Sequence, residues 1–289
     1  MDLDDYQRDS AATDLEGDAT DPIVPLLGLA GEVGSLLAEF KKKRRPDGHA
    51  YSGFDEVVET ELGDILWYLA ALARRVDVPL GRAAEVNLAK TRARWLSEPG
   101  APQVAFDDGF PGEQRLPRLF EVTFTSYEDE DGRTKVSMHV AGEEVGDPID
   151  DNARYPDHYR FHDVFHLAYA AVLGWSPIFR ALLGRKRKSD EAADRAEDGA
   201  RACATEEAVV ALVFEFSKHY DHFAGAERVD DSILNAVKAV TATLEVSARG
   251  PGDWERAILL GFAVWRGLRD ARGGTVAVDL DRGRLELVG

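Results

Sequence analysis

Apolar residues at helical spacing limit what the first third of this 289-residue chain can become. In ETELGDILWYLAALARR, residues 59–75, Leu62, Ile65, Leu66, Leu69 and Leu72 recur three and four apart. That is the period of an α-helix with one apolar face. The same reasoning predicts helices over residues 23–43, 55–75 and 80–96. Pro46, Gly48 and Gly53 break the first from the second, and a turn at 76–79 separates the second from the third. Two or three amphipathic helices leave an apolar face uncovered, so this segment is expected to complete a helical bundle with further helices. A second chain or residues 154–272 would supply them, and a homodimer is the favoured expectation.

Residues 98–117 hold four prolines and three glycines. This composition predicts a linker over 99–117, between a domain at 1–98 and another at 118–289. Downstream, FEVTFTSYEDEDGRTKVSMHV alternates around a DEDG turn, and GTVAVDLDRGRLELV repeats the pattern near the end. Each reads as a β-hairpin, and the two are expected to pair into one small antiparallel sheet. Residues 154–272 read as helical. The expected fold is mainly α: an N-terminal helical bundle, then a helical C-terminal domain with a small antiparallel sheet.

The helices of the first domain carry acids beside their apolar stripes. Glu32 and Glu39 are seven residues apart, nearly on one face, with Ser35 between them; Glu61 and Asp64 stand one turn apart on the next helix. Solvated edge charges explain such a pattern. So does a site where four carboxylates converge across a helix seam. Crowded acids repel unless a cation neutralises them, and hard oxygen ligands suit Mg²⁺ or Mn²⁺. Lys42 lies in the basic run 41–45 beyond Glu39, which reads equally as an attractor for an anionic substrate or as a solvated helix end. Trp67 and Tyr68 offer a stacking surface for a base, against the alternative of a core role.

These motifs carry a resemblance. GLAGEVGSLLAEFKK, ETELGDILWYLAALA and NLAKTRARW, in that order, resemble the MazG-like branch of the all-α nucleoside triphosphate pyrophosphohydrolases over residues 5–96. The resemblance implies a helical bundle that holds Mg²⁺ on acids and splits a nucleoside triphosphate into monophosphate and pyrophosphate. By position, Glu32 matches the first acid of the family's E-x-x-E, and Glu61 and Asp64 match its E-x-x-D. Ser35 falls where the second glutamate belongs, and Glu39, one turn along, is the candidate replacement. Asn87 and Lys90 match the N-x-x-K assigned to the nucleotide and its phosphates. The implied catalytic and metal set is Glu32, Glu39, Glu61 and Asp64, with Asn87, Lys90, Lys42 and Trp67 toward the substrate.

In the second half, His162 and His166 are four apart with Asp163 beside them, and Glu206 and Glu207 lie on a later helical stretch. Histidine and acid pairs on facing helices can build a metal site. The E-x-x-H spacing of di-iron bundles and H-E-x-x-H are both absent. A histidine buried against a neighbouring acid is the plainer alternative. This region resembles the C-terminal extension of some MazG-like proteins. The basic run from Arg180 to Lys188 reads as a solvated loop, or else as a phosphate contact.

A net charge of −18 argues against a duplex-DNA partner, because phosphate attraction needs a basic face, but leaves a metal-bridged nucleotide open. Cys203 is the single cysteine, and the N-terminus has no basic-then-apolar leader. With no apolar run expected to approach the bilayer-spanning length of ~18 residues, a cytoplasmic chain with no membrane partner is expected. The leading functional expectation is pyrophosphohydrolysis for nucleotide-pool control or clearance of non-canonical nucleotides. The alternatives are a hydrolase of a specialised nucleotide such as an alarmone, and a regulatory nucleotide-binding protein whose site Ser35 weakens.

Overall fold

The computed structural model describes residues 1–15, 20–47, 51–95 and 105–288. The chain is mainly α, as expected, and divides into two compact units, Met1–Arg92 and Ala93–Gly289.

The first unit is built on a hairpin of two long helices, α2 (Ile23–Lys43) and α3 (Phe54–Arg75), with the short α1 (Leu3–Asp9) before it and α4 (Leu80–Trp95) after. The α2–α3 contacts run antiparallel: the Phe40 ring meets Phe54 edge-on, while Gly28 lies against Tyr68. Any Cβ at Gly28 would collide with the Tyr68 ring, so glycine lets the helices close there. The same pairing sets Asp64 level with Glu32 and Glu61 level with Ser35.

The face of α3 that the unit buries is not the leucine stripe. Ala70 and Ala73 are buried with Leu80 against Tyr6 of α1, whereas Leu62 and Leu69 are 51% and 38% exposed. Arg74 and Arg75 pin the segment after α1 through Asp14, at 2.8 Å each. The expectation that no apolar run approaches spanning length needs correction: α2 is long and apolar enough by length and composition to cross a membrane. Its apolar side is largely uncovered in the unit.

In the second unit, five strands form one sheet in the order β3-β2-β1-β4-β5, all antiparallel. The expected hairpins are β1 (Leu119–Glu128) with β2 (Thr134–Val140), and β4 (Gly273–Asp279) with β5 (Arg284–Val288). They join through β1 and β4, with Val122 opposite Val276. The two-residue β3 (Glu143–Glu144) was not foreseen. Over the sheet lie α5 (Asp163–Leu173) and α9 (Pro251–Ala271), flanked by α6 (Pro177–Leu182), α7 (Ala200–Ser217) and α8 (Asp231–Thr241). Every residue of α5 from Val164 to Leu173 is buried. Gly261 of α9 makes the approach possible, since a Cβ there would stand 2.9 Å from the Phe165 ring and 3.2 Å from the Ala168 methyl.

Of the expected linker at 99–117, residues 99–104 lie outside the described residues; the remainder is packed structure. Leu116 belongs to the core, and buried Asp107 accepts hydrogen bonds from Arg180 (2.6 Å), Arg118 (2.6 Å) and the Leu116 amide (2.8 Å). The basic run is likewise no solvated loop throughout. Arg180 and Arg187 are buried, and Arg187 meets Asp198 and Glu245 at 2.7 Å each. Arginines read as surface features by composition, but here carboxylates on other segments hold Arg180 and Arg187 inside.

Candidate functional site

The residues expected to form a nucleotide site lie in the first unit. Glu32 on α2 and Glu61 on α3 are half-buried, and Asp64 is exposed. Among the described residues, Glu61 Oε2 is buried with no hydrogen-bond partner. That arrangement costs ~1–3 kcal/mol unless a proton or cation completes it. Exposed Ser35 occupies the level of Glu61 on the facing helix and offers only a hydroxyl.

Glu39 is committed elsewhere. One carboxylate oxygen accepts from Lys42 at 2.5 Å and the other from the Tyr51 hydroxyl at 2.5 Å. Lys42 and then Tyr51 hold the Glu39 carboxyl below its usual pKa, while Glu39 pushes the Tyr51 phenol up. Lys42 is therefore a partner of Glu39 rather than a free cation. Trp67 donates its indole N–H to the Thr13 hydroxyl at 2.8 Å and meets Tyr68 edge-on, so it is anchored locally. Asn87 and Lys90 are exposed on α4. The four acids do not gather three ligand atoms within 4.8 Å of one another in this chain. The partner that the sequence reading missed is Tyr51, twelve residues from Glu39 across the turn.

In the second unit the structure assembles the histidine–acid cluster. His162 caps α5 and His166 lies one turn on; Glu206 and Glu207 come from α7. Among the described residues, His162, His166 and Glu207 place one ligand atom each within 4.8 Å of one another. His166 Nε2 is 3.4 Å from Glu207 Oε1, and His162 Nε2 is 3.9 Å from Glu207 Oε2 and 3.8 Å from Asp163 Oδ1. Behind the rings, His166 Nδ1 bonds Glu206 Oε1 at 2.8 Å, while Glu206 Oε2 accepts the Ile178 amide at 2.9 Å. His162 Nδ1 meets the Tyr159 carbonyl at 3.0 Å, and the Tyr159 ring stacks on His162 with centroids 4.4 Å apart. The two adjacent glutamates therefore divide: Glu206 points into the core and Glu207 reaches the rim.

Burial disfavours charge on both imidazoles, but the outcomes differ. At His166 the charge and hydrogen bond of Glu206, with Glu207 behind, overcome burial and raise the pKa to about 10. At His162 burial wins over Asp163, helped by repulsion from His166, and the pKa falls. Burial works against the charged form of Glu207 too, but the His166 imidazole 3.4 Å away outweighs it and lowers the pKa. Ile178 carries no signal of its own in the sequence, because it acts through its backbone amide, and Tyr159 acts partly so, through its carbonyl.

Residues 101–289 match the MazG C-terminal domain family. The chain belongs to that family. Over 69 residues, 24% of the chain, it is also 38% identical to the Gene 37 protein of Mycobacterium phage L5. The chain spans 60% of that relative's length. No solved structure matches. The family relates the chain to the MazG nucleotide pyrophosphohydrolases in general, and its matched segment contains the histidine cluster and not the acids of α2 and α3.

Proposed function

We propose that the chain hydrolyses a nucleoside triphosphate to the monophosphate and pyrophosphate, using Mg²⁺, or Mn²⁺ in its place, on the acids of α2 and α3. The observation that carries this reading is the Glu61 carboxylate, half-buried with an oxygen that has no protein partner, level with Ser35 and one turn from Asp64. An all-oxygen donor set suits Mg²⁺, and Glu32, Glu61 and Asp64 are the residues that fit it. Glu39 fits only by giving up Lys42 and Tyr51. When bound, the metal would neutralise phosphate charge and make a water more acidic. The chain's own part is to present Glu32, Glu61 and Asp64 from the paired helices α2 and α3, with one Glu61 oxygen left for a cation. Asn87 and Lys90, exposed on α4, are the proposed contacts to the nucleotide and its phosphates.

The occupied Glu39 oxygens favour a second reading, in which the nucleotide is bound and not turned over. Pyrophosphate release from a panel of NTPs and dNTPs with Mg²⁺ separates the two. Turnover that Asp64→Asn abolishes, with helicity intact, supports the enzyme. Asp64→Asn turnover within a few-fold of the parent refutes the site, and binding without turnover supports the regulatory reading. In an active enzyme, a large rate loss in Glu39→Gln with little loss in Ser35→Ala assigns Glu39 to the site; the reverse order removes it.

A further inference from the structure

The donor atoms in the second unit are of a different kind from those of α2 and α3. Both imidazoles are held by the nitrogen facing away from the cluster. The Tyr159 carbonyl can only accept, so the His162 nitrogen that bonds it at 3.0 Å must be the protonated one. Glu206 already takes the Ile178 amide on one oxygen and bonds His166 Nδ1 with the other. A neutral His162 therefore presents an Nε2 lone pair toward Glu207, and Glu206 disposes His166 to do the same. This is the carboxylate- or carbonyl-oriented histidine found behind metal ions. His166 Nε2 is buried and makes no hydrogen bond, although Glu207 lies beyond it; its side chain is 1% exposed.

We infer that His162, His166 and Glu207 form a binding site for a divalent first-row transition ion, with Zn²⁺ as its simplest occupant. The spacing fits. Ligand atoms around a tetrahedral ion with bonds of about 2.1 Å stand roughly 3.4 Å apart. His166 Nε2 is 3.4 Å from Glu207 Oε1 and His162 Nε2 is 3.9 Å from the other oxygen, Oε2, and the three residues offer one ligand atom each within 4.8 Å of one another, so small side-chain shifts bring them to that spacing. Two imidazoles and a carboxylate suit Zn²⁺ and its first-row neighbours rather than Mg²⁺, which prefers oxygen throughout. The cluster is reachable: Glu207 is 43% exposed, while the histidines are the deep ligands. Three protein ligands leave a coordination position open on that side. Asp163 offers a further carboxylate 3.8 Å from His162 Nε2.

The competing arrangement is a metal-free ion pair, with His166 protonated on both nitrogens between Glu206 and Glu207. Zinc titration of the chelator-treated full chain by calorimetry, in excess Mg²⁺, distinguishes the two. One Zn²⁺ per chain is expected, with a Kd in the micromolar range or tighter. Glu207→Gln, at a solvent-reached position that leaves the core intact, and His162→Asn should each weaken it at least tenfold. Co²⁺ in the same site should give visible absorption bands of a four- or five-coordinate nitrogen–oxygen set, lost in both variants. Absence of a stoichiometric site, or zinc bound equally well by both variants, overturns the assignment. Asp64→Asn, in the other unit, should leave zinc affinity unchanged, and a tenfold loss there would also overturn it.

Discussion

Asp107→Asn tests whether the segment before the sheet is an anchored part of the second unit or a tether. The Asp107 carboxylate is fully buried and takes three short hydrogen bonds, two from Arg180 and Arg118 and one from the Leu116 amide. Asparagine keeps the volume, removes the charge and turns an N–H toward a guanidinium that is itself buried. Breaking a buried pair from one side costs ~3–5 kcal/mol, because the remaining charge is stranded. Dividing by a urea dependence of about 2 kcal/mol/M gives a midpoint lower by ~2 M, with an unchanged slope. Trp175, Trp254 and Trp265, all in the core of the second unit, report the transition by fluorescence. The pH dependence gives a second readout. Burial would raise the Asp107 pKa, but Arg180, the Leu116 amide and Arg118 outweigh it and hold it low. Its contribution is therefore complete above the unfolded carboxylate pKa of ~3.9 and disappears as pH falls through the lower folded value. Asp107→Asn should flatten that acid limb as well as lower stability at neutral pH. A loss below ~1 kcal/mol, in the range of an exposed pair, with an unaltered acid limb would show that the carboxylate is solvated and the packing argument wrong.

Two other expectations concern packing. Gly261→Ala gains up to ~1 kcal/mol of helix propensity but drives a methyl into the Phe165 ring and the immobile Ala168, at a cost of ~1–3 kcal/mol. A net fall in melting temperature of a few degrees is expected by calorimetry, and a rise would mean that α5 and α9 yield more easily than their contacts imply. On α2, Leu27 and Leu37 are 68% and 64% exposed, which a second copy of the chain is proposed to cover. Light scattering should give a dimer at micromolar concentration and a monomer for Leu37→Glu; a monomeric parent chain rules the dimer out.

How much was legible in the sequence follows from the range of each interaction. The period of Leu62, Ile65, Leu66, Leu69 and Leu72 was enough for α3, and the DEDG turn was enough for the β1–β2 hairpin, because both record neighbours a few residues away. His162 and His166 were legible as one face of a helix for the same reason. Which face is covered was not: α3 buries its alanines against Tyr6 and exposes Leu62 and Leu69, a choice made by α1 far upstream. Nor did the residues 105–117 announce that Asp107 would meet an arginine 73 positions on.

The acids show the division most clearly. Local spacing places Glu206 and Glu207 side by side and cannot rank them. Successive residues on a helix point about 100° apart, so packing α7 against α5 and α6 sends Glu206 inward to His166 and the Ile178 amide. The same packing leaves Glu207 at the rim facing both Nε2 atoms. On α2, likewise, the sequence alone offered Glu39 as a metal ligand, and the structure gives its two oxygens to Lys42, one helical turn on, and to Tyr51, twelve residues away. Short-range periodicity determined the elements; the partners of each charge were decided by which distant segments the fold brings within hydrogen-bonding reach.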